Sequence, residues 1–230
     1  MNARLLRGFL LATGTALFAV GCFLGLTWAP PERHMGDVSR ILYVHMPIAV
    51  NTLVMLFFAF LCAVGSLWTG SKRWDARMTA FVEVGLVFSL PMLLSGMIWA
   101  RPTWGIWWTW DVRLTTSLVA AVFYAGVLIL RTAIDDPRRR ATWSAVATII
   151  GFVDVPLIYF CVRWWRSLHQ VQSSPETVDS MMVIPLRLNL VAVFLLGLWM
   201  VSLRSEIEGL RAEAEEVPEP ARIEPTVSTA

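Results

Sequence analysis

Three histidines, His34, His45 and His169, and one aromatic run are the parts of this chain best suited to holding a bound group. The run is Trp104-Gly105-Ile106-Trp107-Trp108-Thr109-Trp110-Asp111-Val112-Arg113, with four of the protein's twelve tryptophans inside seven residues. Neutral imidazole is a common metal ligand and a donor to iron in a planar macrocycle. His45 and His169 flank the run in sequence, so two axial ligands on opposite sides of such a ring are possible. Indole faces offer broad apolar contact to a flat π-system, which suits Trp104, Trp107, Trp108 and Trp110 to shaping its surroundings. Arginine recognises carboxylates with two parallel bonds, and Arg101, Arg113, Arg163 and Arg166 are all candidates for that task. Asp111 would orient the loop or an incoming partner. His34, in a proline-flanked polar link, reads as solvated.

Cysteine adds no further chemistry. Cys22, Cys62 and Cys161 stand alone in apolar segments without CxxC spacing, so neither a structural disulfide nor a zinc site is expected. There is no CxxCH motif, so any haem would be held without thioether bonds to a cysteine pair. There is no GxxxxGK[ST] motif, so ATP hydrolysis must come from another chain.

The elements that position these residues follow from composition. The chain has 230 residues, 57% hydrophobic and 16% charged, with mean hydropathy +0.61, which marks an integral membrane protein. A span needs about 20 apolar residues. Six can be laid along the chain at about 6–28, 43–69, 78–100, 114–130, 141–162 and 181–203, giving an all-α, six-helix polytopic fold. The N-terminal apolar run is too long for a signal peptide and reads as a retained first helix. Basic loops around 72–77 and 138–140, with Arg4, Arg7, Arg131 and Arg204, put both termini on the cytoplasmic side. The aromatic run, the 29–42 link and the His169 loop then share the outer face. The domain reading is a transmembrane unit over 1–204, with the aromatic loop at about 101–113, and an acidic, disordered cytoplasmic tail over 205–230.

Isolated tryptophans such as Trp28, Trp68, Trp99 and Trp199 read as interfacial anchors. Glu83 and Asp154 are costly within apolar spans. Glu83 sits where it can reach the interface or pair with Arg77, and Asp154 reads as a structural polar contact with a proton or substrate path as the alternative.

Three separated motifs carry a resemblance: Tyr43-Val44-His45-Met46-Pro47, the run Trp104 to Thr115, and Trp164-Trp165 followed by Leu168-His169-Gln170. The run is similar to the WWD signature of haem-handling membrane proteins. The whole resembles the cytochrome c maturation protein C family of haem exporters, over most of residues 5–203. The resemblance implies His45 and His169 as axial ligands of a non-covalent, b-type haem on the periplasmic face of the inner membrane. The implied haem-contacting set is Trp104, Trp107, Trp108, Trp110, Asp111, Arg113, Trp164 and Trp165. It also implies presentation of haem to a periplasmic haem chaperone, with templating of the covalent attachment left open. The partners implied are that chaperone, a small single-span subunit, and the ATPase and permease subunits of an ATP-binding-cassette pair, in a lipid membrane and without nucleic acid. The alternatives are a haem-free permease subunit and a membrane b-type cytochrome.

Overall fold

In hydrocarbon a backbone must satisfy its own hydrogen bonds, and the apolar stretches accordingly fold as helices. The computed structural model describes residues 3–32, 34–169 and 179–215. Among these, the helices are α1 (Ala3–Thr27), α2 (Leu42–Thr69), α3 (Lys72–Trp104), α4 (Val112–Thr132), α5 (Pro137–Phe152), α6 (Asp154–Trp164) and α7 (Ser180–Ala214). A short 3-10 turn, Asp37–Ile41, leads into α2. Six units are long and apolar enough to cross a membrane, α5 and α6 together forming one of them. That span is broken at Val153 because Pro156 has no N–H to give the Phe152 carbonyl.

Two helices outrun their apolar stretches. α3 begins at Lys72 and continues through Trp104, so the first tryptophan of the run is helical. α7 continues beyond 203 to Ala214, about 52 Å at ~1.5 Å per residue, well beyond the ~30 Å of hydrocarbon. The first acidic residues of the expected tail are therefore helix, and Glu206, Glu208 and Glu215 each meet an arginine. The remainder of the tail, 216–230, and Gln170 of the third motif lie outside the described residues.

Small residues let the helices approach closely. A side chain on Gly21 of α1 would collide with the Asn189 amide of α7, and one on Gly25 with the Tyr43 ring of α2. Asn189 is fully buried where α1, α2 and α7 meet. Its Nδ2 donates to the Tyr43 carbonyl at 2.7 Å. That carbonyl is the one left without a helical donor by Pro47, so the amide repairs the proline's defect. Asn51 makes the reverse connection, its Nδ2 donating to the Pro47 carbonyl at 2.8 Å and the Leu190 carbonyl at 3.1 Å. These bonds fix α2, and with it His45, against α7.

The end of the bundle that carries the start of α1 and the end of α7 is held by charge. The Arg131 guanidinium makes a two-pronged contact with the Asp75 carboxylate at 2.8 and 3.0 Å. Arg7 pairs with Glu206, and Arg140 with Glu215. Glu83 pairs with Arg204 of α7 and not with Arg77, whose guanidinium stands over the Trp74 ring at 5.5 Å. Sequence proximity suggested Arg77; the long α7 brings a better-aimed cation from 121 residues away.

Candidate functional site

At the opposite end, His45 occupies the first turn of α2 and faces α3. Its Nδ1 lies 2.9 Å from the Ser95 hydroxyl oxygen. One residue on, a Cβ at Gly96 would come within 3.2 Å of the imidazole Cε1, so the absent side chain leaves room for the ring. One turn further, the Trp99 indole meets the ring edge-on, with centroids 5.6 Å apart. The i, i+1 and i+4 positions of one helix thus wall in a histidine carried by another. Trp99 is not a lipid-side anchor: its indole N–H is buried and has no partner among the described residues.

The aromatic run is a loop clamped at both ends. α3 stops at Gly105, which adopts φ +79°, a conformation that glycine takes without strain. The Gly105 N–H donates to the Arg101 carbonyl at 3.0 Å, and the Arg101 guanidinium returns to the Gly105 carbonyl. Asp111 then caps α4, its Oδ1 accepting from the Arg113 N–H at 3.0 Å. The same carboxylate reaches the segment after α6. It accepts from the Ser167 hydroxyl at 3.1 Å and the Leu168 N–H at 2.9 Å, and Oδ1 lies 3.1 Å from His169 Nδ1. A single aspartate side chain, 4% exposed, joins the aromatic loop to the second histidine.

Electrostatics keep this pair in definite charge states. Burial alone would raise the Asp111 carboxyl, but hydrogen bonds from Leu168, Ser167 and Arg113, with the field of His169, hold it below its ordinary value. It is a carboxylate near neutral pH. Burial, followed by the nearby Arg113 guanidinium, pushes His169 below the usual imidazole value despite Asp111. It is therefore neutral there, as a metal ligand must be.

The two imidazoles are close enough to interact electrostatically, and both feel Arg113. Arg113 itself is under-used: one long bond, 3.5 Å, runs from Nη2 to the Tyr159 carbonyl, and Nε is buried without a partner among the described residues. Trp104 meets His169 edge-on with centroids 5.1 Å apart. The other tryptophans form a rim. Trp108 and Trp110 pack edge-on, while Trp164 stacks on Phe160 and touches Trp165. Trp107, Trp110, Trp164 and Trp165 are each more than half exposed. His34 is exposed, and its backbone N–H donates to the Glu32 carboxylate.

Two cavities lie elsewhere. One of about 440 Å³ sits at the charged end between Lys72, Arg73 and Arg77 of α3 and Glu206 and Glu213 of α7. A narrow interior cleft between Thr52, Ser89, Ser117 and Tyr124 has about 10 Å³, room for one water. Neither adjoins both histidines. Asp154 lies near Tyr124, and its Oδ2 is buried without a partner among the described residues.

The donor set fits an iron macrocycle. Each histidine has Nδ1 engaged by a neighbour, which leaves Nε2 as the nitrogen available to a metal. Among the described residues no group of three or more His, Cys, Asp or Glu could hold a bare ion. Two nitrogens are what an iron requires when a ring supplies its other four ligands. Ser95 and Gly96 escaped the sequence reading, and Trp99 entered it only as an anchor. Their spacing along one helix face was visible, but nothing local indicated that the face meets His45.

Comparison with known proteins identifies the family. A family model described as "Heme exporter protein C" matches residues 1–218. Proteins of that name from Haemophilus influenzae and Escherichia coli K12 are 33% and 32% identical to the chain. The alignments cover 86% and 85% of this chain and 82% and 80% of theirs. One from Bradyrhizobium diazoefficiens is 31% identical over 97% of this chain and 86% of its own.

Proposed function

The chain belongs to the heme exporter protein C family, and from that premise we propose that it holds haem between His45 and His169 and presents it to a periplasmic haem chaperone. The role is haem delivery for cytochrome c maturation, carried out by a multi-pass membrane protein. The observation that carries the finer reading is the pair of imidazoles, each held at Nδ1 with Nε2 unclaimed, beside an under-used arginine.

In this reading haem is cargo, a b-type haem held without covalent bonds, and its iron brings the reactivity of the ring. The protein's residues bind and orient it. His45 and His169 supply the axial nitrogens. Arg113, and the unpartnered Trp99 indole N–H beside His45, offer donors to the propionates. Trp104, Trp107, Trp108 and Trp110, with Trp164 and Trp165, provide the apolar rim. Asp111 fixes the loop geometry on which His169 depends. The exposed rim leaves one edge of the ring open to a partner, so attachment to the chaperone is assisted by positioning.

The charge asymmetry of the loops supports a reading with both termini cytoplasmic, and in this proposal the haem face is periplasmic and the membrane a bacterial inner membrane. The expected partners are the chaperone, a small single-span subunit, and the ATPase and permease subunits that release the loaded chaperone.

The test is the Soret spectrum of protein purified with and without the chaperone, repeated for His45→Ala and His169→Ala. Each variant is expected to lose the six-coordinate spectrum. An unchanged band and haem yield in both would overturn the ligand assignment.

A further inference from the structure

The two histidines reach the same tautomer by different means. The Ser95 hydroxyl has one proton, and its oxygen lies 2.5 Å from the Pro91 carbonyl and 3.2 Å from the Met92 carbonyl. Carbonyls only accept, so that proton is committed to the α3 backbone. Towards His45 the Ser95 oxygen can then only accept, and the nitrogen facing it at 2.9 Å, Nδ1, must carry the hydrogen. A neutral imidazole has one N–H, so Nε2 keeps its lone pair.

For His169 the acceptor at Nδ1 is the Asp111 carboxylate, 3.1 Å away. An anionic acceptor draws the N–H proton towards itself and strengthens the opposite nitrogen as a donor; a neutral hydroxyl does so far less. The supports also differ in rigidity. Asp111 is tied by Arg113, Ser167 and Leu168 besides the histidine, whereas the hydrogen bond from Ser95 leads only into its own helix.

We propose that Ser95 is a positioning residue that selects the ligating tautomer of His45, and that the two ligands are unequal. His169 holds the iron firmly, and His45 is the ligand that lets go when haem is passed on. This rests on the bis-histidine reading above. The inequality has a use: delivery requires one bond that yields while the other keeps the ring in register, and the weaker one is built on α2 and α3, away from the Asp111 clamp.

The experiment titrates detergent-purified protein with hemin, reduces it, and follows carbon monoxide binding by stopped flow. In the wild type the gas replaces His45, at a rate limited by release of that ligand. Ser95→Ala is expected to speed binding about tenfold, in line with the effect of losing an outer-shell partner. Ser95→Thr, which keeps the hydroxyl, restores the slower rate. His45→Ala retains haem in a five-coordinate form that binds the gas at once, whereas His169→Ala loses most of its haem. Equal rates in Ser95→Ala and wild type, or equal haem loss in the two histidine variants, would overturn the inference alone. A Soret band unchanged in both histidine variants would overturn the bis-histidine reading and this inference with it.

Discussion

At the end of the bundle that carries the start of α1, arginines and carboxylates from five helices are paired with one another. At the histidine end, the Asp111 carboxylate is held by a hydroxyl, two backbone N–H groups and a neutral imidazole, and the Arg113 guanidinium has one distant carbonyl as its partner among the described residues. The first arrangement spends its charges on itself. Such pairs hold helices in register, and their attraction leaves little for a ligand. The second keeps a guanidinium and two ring nitrogens in reserve, in surroundings where an unmet donor costs about 1–3 kcal/mol. On the proposed reading, these are the groups that a bound haem would satisfy.

The contrast can be broken most directly at Asp111. Asp111→Ala removes the acceptor of four donors and frees the 167–169 segment, and hemin titration is expected to show affinity about 100-fold weaker. Affinity within a few-fold of wild type would mean that the carboxylate is only a helix cap. At the charged end, Arg131→Ala strips a two-pronged partner from Asp75, both side chains being mostly buried. The expected loss is about 1–3 kcal/mol in denaturation, with hemin affinity unchanged. A fall in affinity there would show the two ends to be coupled. Arg204→Ala sharpens the same point at smaller scale. Its pair with Glu83 is partly exposed, so screening limits the effect to under about 1 kcal/mol, read as a small shift in melting temperature. Trp110→Ala, at a largely exposed rim position, should leave stability within error of wild type and weaken hemin affinity only slightly. Its main effect is expected in capture of the haem chaperone, measured by co-purification.

Much of the architecture was legible because it depends on local composition. Apolar stretches of span length announce their helices, since lipid forces the backbone to bond within each segment. Gly105 and Asp111 act within a few residues as the stop of one helix and the cap of the next, but the sequence reading ended the third span near residue 100 and took Asp111 only as an orienting group. The break at Val153 had a visible cause in Pro156 but could not be told from a tolerated kink. The length of α7 was hidden by its acidic composition: the arginines that accompany Glu206 and Glu215 come from α1 and α5.

The sequence by itself determined the spans, the tryptophan-rich loop between two of them, and the histidine motifs on either side. Only the tertiary structure decided which groups serve those histidines. Ser95 is 50 residues from His45, and Asp111 is 58 from His169. Helical periodicity tells which residues share a face, but not which face it will meet. That choice is made when glycines admit close approach, as at Gly21 and Gly25, and when buried amides such as Asn189 bond carbonyls of another helix. These are pairwise conditions in space, and they have no signature along the chain.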